Sequence, residues 1–263
     1  MHAAQRDEII LKLIRDKGFI SFKELDLKVK ASPATLRRDL GRLENEGSII
    51  RVRGGAKAIV EVQGTPPSHL QGVPFHENIV RNRNAKSAIG EAAAKLCKAG
   101  EAIVIDGGST TLQMCPHLED LGLQVLTNSL HIVSALLPQP RTRISVPAGT
   151  VFREQNIVLS PFEDDGTSSY RASKMFLGAA SVGRHGIMQT DVLLLQAERR
   201  LFERAEELIL MVDSTKFDAA AGHVVCPLEE IDVVVTDRGI GAEHRRLLHA
   251  AGVRLIIADA TPD

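Results

Sequence analysis

The strongest constraint on the fold of this chain is a short amphipathic segment, residues 32–40, with the sequence SPATLRRDL. Ser32 suits the N-cap of a helix, and Pro33 suits the first helical position, where no amide hydrogen is needed. Leu36 and Leu40 lie four residues apart and therefore share one helix face. The segment predicts a capped helix with an apolar face toward a core and two adjacent arginines outside it.

The flanking residues complete a recognisable small domain. Residues 4–17 have apolar side chains at helical spacing, and residues 21–24, SFKE, form a capping box that begins a second helix. After the segment 32–40, the helix continues to about Glu46, with Gly47 as its C-cap. Residues 49–53 then alternate with period two before a Gly-Gly turn. Three helices and a basic hairpin predict a winged helix-turn-helix.

A helix of this kind fits the major groove of DNA, where its first turns face the base edges. Arg37 and Arg38 point about 100° apart around the helix, so one can contact a base while the other contacts a phosphate. Arg51 and Arg53 share one face of the hairpin. A solvated basic face is the alternative for each arginine taken alone. The predicted DNA contacts are Ser32, Pro33, Ala34, Thr35, Arg37, Arg38, Arg51 and Arg53.

The charge distribution supports a nucleic-acid partner for the N-terminal part alone. Residues 1–57 contain 13 basic and 8 acidic side chains, a net charge of +5, whereas the rest of the chain has a net charge of −6. No apolar run is long enough to span a bilayer and the N-terminus lacks a signal-peptide core, so we expect a cytoplasmic protein with no membrane partner. The three scattered cysteines and nine histidines show no ligand spacing. We therefore expect neither a metal nor a cofactor.

The remaining residues predict a linker and a second domain. Residues 61–74 are rich in proline and glycine without periodicity, which is typical of a linker. We expect a DNA-binding domain at 1–60, a linker at 61–76, and an effector-sensing and oligomerisation domain at 77–263. Apolar runs at 102–106, 123–127, 143–146, 208–212, 232–236 and 254–257 predict strands, and residues 77–98 predict a helix. Strands that are apolar on both faces favour a mostly parallel, Rossmann-like sheet covered by helices, an α/β fold.

Three of the predicted strands end in polar residues. Residues 106–111 are DGGSTT, residues 127–129 are TNS, and residues 213–216 are DSTK. Ligands of open parallel sheets lie beyond the carboxyl ends of the strands. Small residues and amides at a helix N-terminus favour an anion such as phosphate, although each loop alone could be an ordinary turn. Together they predict a site for a phosphate and hydroxyl groups.

The sequence resembles the DeoR (GlpR) family of bacterial sugar-metabolism regulators. TLRRDL at 35–40, LE at 43–44 and RVRGGA at 51–56 are similar to its N-terminal signature, and the three polar loops are similar to its sensor domain. Short patches at 159–161, 175–176 and 186–191 most resemble the branch that contains the ascorbate-utilisation repressor.

The resemblance implies a sensor domain with a fold similar to ribose-5-phosphate isomerase and CoA-transferase, and a phosphorylated sugar or related metabolite as effector. The segment ASKMFLG at 172–178 resembles a family segment that makes Lys174 a further candidate. The predicted effector contacts are Asp106, Gly107, Gly108, Ser109, Thr110, Thr111, Thr127, Asn128, Ser129, Lys174, Asp213 and Lys216.

These observations predict a regulator that is not an enzyme: a homo-oligomer that binds a double-stranded DNA operator and represses a carbohydrate operon until a phosphorylated sugar binds. Activation of transcription stays open. One alternative is a sugar-phosphate isomerase with Asp106 or Asp213 as base and Lys216 as charge stabiliser, but no second acid or base can be placed. Another is a sequence-independent nucleoid protein, which the acidic second domain disfavours.

Overall fold

The computed structural model describes residues 3–17, 19–29, 31–45, 49–52, 55–58, 75–160, 165–217, 219 and 222–259. The chain divides into two compact units, residues 1–67 and residues 68–263. Each unit has its own hydrophobic core. The linker predicted at 61–74 lies outside the described residues.

The described part of the N-terminal unit contains three helices and a small antiparallel sheet. These elements are α1 (Ala3–Lys17), β1 (Phe19–Ser21), α2 (Phe22–Lys28), α3 (Pro33–Asn45), β2 (Ile49–Val52) and β3 (Gly55–Ala58). Strand β3 lies between β1 and β2. Leu36, Leu40 and Leu43 are buried on the inner face of α3, as their spacing predicts, and they pack against Ile10 and Ile14 of α1. The winged helix-turn-helix arrangement is therefore confirmed, with β1 as a strand that the sequence did not reveal.

Helix α3 is fixed at its start and at its inner face. The backbone amide of Thr35 donates to Ser32 Oγ at 3.2 Å, which is the predicted N-cap. Asp39 is buried and accepts a hydrogen bond from Arg6 Nε at 2.8 Å. This ion pair joins α1 to α3 and sets the orientation of the recognition helix within its unit. The helix ends at Asn45, and the predicted C-cap Gly47 lies outside the described residues.

The C-terminal unit is built on a seven-stranded sheet in which every neighbouring pair is parallel. The strands are β4 (Ala102–Ile105), β5 (Gln124–Leu126), β6 (Arg143–Ser145), β9 (Ala172–Leu177), β12 (Ala205–Met211), β14 (Val233–Asp237) and β15 (Arg254–Ala258). Their order in the sheet is β15-β14-β12-β9-β4-β5-β6. Two smaller antiparallel sheets contain β7 (Thr150–Phe152) with β8 (Ile157–Leu159), and β10 (Ser181–Gly183) with β11 (Gly186–Gln189) and β13 (His223–Cys226).

Helices cover both faces of the large sheet. They are α4 (Phe75–Asn78), α5 (Arg83–Ala94), α6 (Leu130–Leu136), α7 (Val192–Phe202) and α8 (Ala242–Ala250). Successive strand residues alternate between two cores: Ile103 and Ile105 pack with residues of α5 and α6, whereas Val104 packs with residues of α7 and α8. All six predicted strands are present, and the predicted parallel sheet with two covered faces is confirmed.

The predicted helix 77–98 is interrupted. Asn82 has a left-handed backbone, with φ of 51°, and separates α4 from α5. Its side-chain amide donates to Asp213 Oδ1 at 2.9 Å, so a contact remote in sequence holds the break. Phe75 and His76, which the sequence assigned to the linker, begin α4. No helix in the described part of the chain is long and apolar enough to cross a membrane.

Candidate functional site

The predicted DNA contacts lie at the start of α3 and in the hairpin. Ser32, Pro33, Ala34 and Arg38 are exposed, and Thr35 is half-buried because its side chain bonds Ser32 Oγ. Arg37 lies in α3 and Arg51 in β2, but their side chains fall outside what the structure describes, and so does the whole of Arg53. Because the first turn of α3 is exposed, this end of the helix is accessible to a DNA groove.

A cavity of about 380 Å³ lies at the carboxyl ends of β4, β9 and β12. This is the edge at which the polar loops were predicted to meet. Six of the predicted effector contacts line it: Asp106, Gly107, Gly108, Ser109, Thr110 and Lys216. The volume lies within the range of small-molecule sites, about 300–1,000 Å³.

The loop after β4 is held in shape by its own residues. Thr111 Oγ1 donates to the carbonyl oxygen of Asp106 at 2.7 Å and accepts from the amide of Gly108 at 3.0 Å. The element that follows is a seven-residue 3-10 helix, Thr111–His117, which includes Pro116. Thr111 is thus a positioning residue that shapes the loop and does not line the cavity.

The loop after β5 supports the loop after β4. Asn128 Oδ1 accepts the amide hydrogen of Gly107 at 3.1 Å. Thr127 Oγ1 accepts the amide of Ser129 at 3.1 Å, and Ser129 Oγ caps α6 by accepting from Ile132. All three predicted residues of this loop are buried. These three residues therefore hold the loop after β4, which forms part of the cavity wall, from the side away from the cavity.

Gly107 allows the two loops to approach closely. A Cβ atom at this position would lie 2.6 Å from the Cγ2 atom of Ile157 and 3.2 Å from Asn128 Oδ1. No side chain fits without displacing one of these neighbours. The requirement for glycine here is therefore steric.

Two buried carboxyl groups line the cavity. Burial raises the pKa of Asp106 to about 6, although hydrogen bonds from Gly107, Gly178 and Asn128 oppose the shift. Burial also raises the pKa of Glu198 well above its ordinary value, and the neighbouring charge of Asp106 raises it further. This end of the cavity therefore disfavours additional negative charge.

The loop after β12 contributes a cation. Lys216 lies at the end of a 3-10 turn, Ser214–Lys216, and its side chain lines the cavity. Asp213 caps this turn by accepting from the amide of Thr215 at 3.2 Å. Asp213 lies near the buried ammonium group of Lys86, whose pKa burial lowers to about 8 while Asp213 opposes the shift. Asp213 lines an adjacent pocket and not this cavity.

Lys174 is not brought to the cavity, and its prediction as an effector contact needs correction. It lies in the first half of β9, and its Nζ atom is 2.8 Å from Glu101 Oε2. Glu101 precedes β4, so this ion pair lies at the amino end of the sheet, opposite the edge with the cavity. The resemblance identified a segment that forms a strand of the large sheet. Lys174, however, lies at the amino end of that sheet and not at the edge with the cavity.

Several cavity residues were not identified from the sequence. Polar examples are Asn78, Gln155, Gln189, Thr190 and Glu198, and apolar ones include Ile157 and Leu194. Gln189 and Thr190 fall in the patch 186–191 that resembles the ascorbate-utilisation branch, which was a usable signal. No sequence signal identified Glu198, because a glutamate followed by two arginines on a helix is typical of a solvent-exposed face. Among the described residues, no cluster of three or more histidine, cysteine, aspartate or glutamate side chains could hold a metal ion.

Comparisons with known proteins match both units. A model of the DeoR-like helix-turn-helix domain matches residues 6–62, and a model of the DeoR C-terminal sensor domain matches residues 81–238. Relatives named HTH-type transcriptional regulator UlaR, from Shigella dysenteriae serotype 1 and Escherichia coli K12, are 29% identical over 97% of this chain and 99% of their own length.

Solved structures give more distant matches. Ribose 5-phosphate isomerase A from Methanocaldococcus jannaschii is 18% identical and has a TM-score of 0.39, covering 52% of this chain and 55% of its own. The eIF2B beta subunit from Chaetomium thermophilum is 13% identical with a TM-score of 0.39, covering 58% of this chain and 48% of its own. Similarity at this level does not indicate a shared activity.

Proposed function

Because this chain belongs to the DeoR family and is a transcriptional regulator rather than an enzyme, we propose that it represses a carbohydrate catabolic operon. In this proposal, a phosphorylated sugar or related metabolite binds the C-terminal unit and releases the operator from the N-terminal unit. The observation that most supports it is the cavity that brings Lys216 together with the loop after β4.

The cavity offers suitable groups for a phosphate. Lys216 supplies a cation, and Ser109 and Thr110, which carry hydroxyl groups, also line the cavity. The amides of Gly107 and Gly108 already donate to Asn128 and to the loop itself. The amides of Ser109 and Thr110 donate to no other group in the described part of the chain, which leaves them available to an anion. Charge-assisted hydrogen bonds of this kind are roughly twice as strong as neutral ones.

The N-terminal unit offers suitable groups for DNA. The first turn of α3 is exposed, and Ser32, Thr35 and Arg38 present hydroxyl and guanidinium groups there. Contacts of these types to phosphates fix the orientation of a recognition helix, and an arginine bidentate to guanine adds about 1–3 kcal/mol of base discrimination. Specific binding to a duplex is therefore the activity that we propose for this unit.

Regulation requires that the effector bind one state of the protein more tightly than the other. We propose a homo-oligomer that presents pairs of helix-turn-helix domains to repeated or palindromic half-sites. An effector that favours the state with mismatched half-site spacing lowers operator affinity. Light scattering with and without an operator duplex measures the number of chains in the assembly.

The test is an operator-release assay. A duplex selected by the full-length protein from a random-sequence pool serves as the operator, and fluorescence anisotropy follows its release. Pentose and hexose phosphates are compared with the same sugars without phosphate and with inorganic phosphate. We expect at least one sugar phosphate to release the duplex while its unphosphorylated form does not. Release by unphosphorylated sugars at equal concentrations would contradict a phosphate site, and tighter duplex binding with the effector would indicate activation instead.

A further inference from the structure

Glu198 is a buried acidic residue, and one of its carboxyl oxygen atoms has no hydrogen-bond partner among the described residues. It lies on α7, only 3% exposed, and it lines the cavity. Gln189 of β11 donates its side-chain amide to Glu198 Oε1 and so fixes the orientation of the carboxyl group. The other oxygen, Oε2, is buried and has no hydrogen-bond partner among the described residues. Buried polar atoms are nearly always paired, so this oxygen is a candidate contact for a ligand in the cavity.

The chemistry around Glu198 indicates what that ligand is. Asp106 lines the same cavity and interacts electrostatically with Glu198. Two neighbouring carboxyl groups repel a phosphate, which therefore belongs beside Lys216. Sugar hydroxyl groups suit a pair of carboxyl groups because each hydroxyl both donates and accepts a hydrogen bond. Ile157 and Leu194 also line the cavity, and their apolar side chains suit the carbon chain of such a ligand.

Building on the function proposed above, we propose that Glu198, oriented by Gln189 and assisted by Asp106, is a specificity-determining residue that binds hydroxyl groups of the effector. The cavity then has two ends, one for phosphate at Lys216, Ser109 and Thr110, and one for hydroxyl groups at Glu198. The effector class that fits both ends is a phosphorylated polyhydroxylated carbon chain. Phosphates that lack hydroxyl groups lack one of the two sets of contacts.

The raised pKa values of the two carboxyl groups agree with this assignment. A carboxyl group with a raised pKa takes up a proton more readily, and in its protonated form it can donate one hydrogen bond and accept another. A hydroxyl group matches both roles.

The experiment measures binding to the full-length protein by isothermal titration calorimetry. The probes are inorganic phosphate, the sugar phosphate that binds the wild type most tightly from a pentose and hexose phosphate panel, and its deoxy analogues. In Glu198→Leu, which nearly keeps the side-chain size but removes both carboxyl oxygen atoms, we expect the sugar phosphate affinity to fall about 10- to 100-fold. We expect inorganic phosphate to bind within twofold of the wild type. The matched control is Glu243→Leu on α8, an exposed glutamate that should change neither affinity.

Each outcome separates this inference from the function proposed above. Unchanged sugar phosphate affinity in Glu198→Leu overturns the hydroxyl subsite and leaves the sugar phosphate sensor intact. An equal loss for inorganic phosphate also overturns it, because Glu198 would then support the phosphate end. A wild type that binds no member of the panel overturns the proposed function itself.

A measurement on the ligand keeps the inference testable without any variant. At least one deoxy analogue should bind the wild type about tenfold more weakly than the parent sugar phosphate. Equal affinity for the parent and every deoxy analogue overturns the hydroxyl subsite.

Discussion

Replacement of Asp106 with asparagine should change how the stability of the C-terminal unit depends on pH. Asp106 is 6% exposed, and burial raises the pKa of its carboxyl group from 3.8 to about 6. An acid with a raised pKa in the folded state costs no stability below its unfolded pKa, where both states are protonated. As pH rises, the unfolded state ionises first, so stability falls between about pH 3.8 and pH 6 and stays low above that. The asparagine variant has no such loss.

The size of the effect follows from the shift. Each pKa unit corresponds to about 1.36 kcal/mol, so a shift of about two units is worth about 3 kcal/mol. At pH 4 the unfolded carboxyl group is already partly ionised, so the difference in unfolding free energy, variant minus wild type, should rise by about 2.5 kcal/mol between pH 4 and pH 7. Any cost of misplacing the new amide group is the same at both pH values and cancels in this comparison.

The chain contains a suitable probe for the assay. Tyr170 is the only tyrosine and there is no tryptophan, so intrinsic fluorescence reports the C-terminal unit alone. Its hydroxyl group donates to the carbonyl oxygen of Gln124 at 2.9 Å, beside β5, and loses this contact on unfolding. Urea titrations at pH 4 and pH 7 give the four free energies that are needed. The exposed Glu243→Gln serves as the control.

The result that refutes this reasoning is a difference between variant and wild type that stays constant from pH 4 to pH 7. That outcome would mean that the Asp106 carboxyl group ionises in the folded protein as it does in water. The cavity would then be more open to solvent than the structure indicates.

Three further substitutions test other parts of the account. Gly107→Ala places a Cβ atom 2.6 Å from the side chain of Ile157, so it should lower the unfolding free energy of the C-terminal unit by about 1–3 kcal/mol; an unchanged urea midpoint would argue against the close approach. Ser32→Ala removes the N-cap of α3 and should cost about 1 kcal/mol, measured by thermal unfolding followed by circular dichroism, whereas Ser32→Asn should retain most of the stability. Lys174→Ala breaks the ion pair with Glu101 and should lower stability, yet leave sugar phosphate affinity within twofold in calorimetry; a large loss of affinity would return Lys174 to the effector site.

Local patterns predicted much of the fold. In α3, the leucine spacing, the N-cap and the proline at the first position all depend on neighbours within a few residues, and the structure places them as expected. The six apolar strands of the large sheet were likewise visible, because runs that are buried on both faces contain few polar residues.

The central strand β9 could not be recognised from the sequence, because it contains polar residues. Its sequence, ASKMFL, includes Ser173 and Lys174, whose polar groups both bond Glu101, more than 70 residues earlier in the chain. A pattern in one segment does not reveal a partner at that separation. The break at Asn82 depends in the same way on a hydrogen bond to Asp213.

The candidate site, like the fold, combines residues that the sequence predicted with residues that it did not. The loops at Asp106 and Lys216 could be predicted because polar residues after parallel strands gather at one edge of the sheet. Glu198 could not, because its burial depends on Gln189 and on the packing of α7, and its neighbours Arg199 and Arg200 give the helix a solvated pattern. The hydroxyl end of the cavity became apparent only from three-dimensional contacts.

In the proposed mechanism, the N-terminal unit binds the operator duplex and the C-terminal unit binds the sugar phosphate. Arg37→Ala and Lys216→Ala separate these two activities in the operator-release assay and in calorimetry with the releasing sugar phosphate. We expect Arg37→Ala to lose operator binding and keep sugar phosphate binding, and Lys216→Ala to bind the operator but no longer release it. Release of the operator from Lys216→Ala at the wild-type concentration of sugar phosphate would rule out this mechanism.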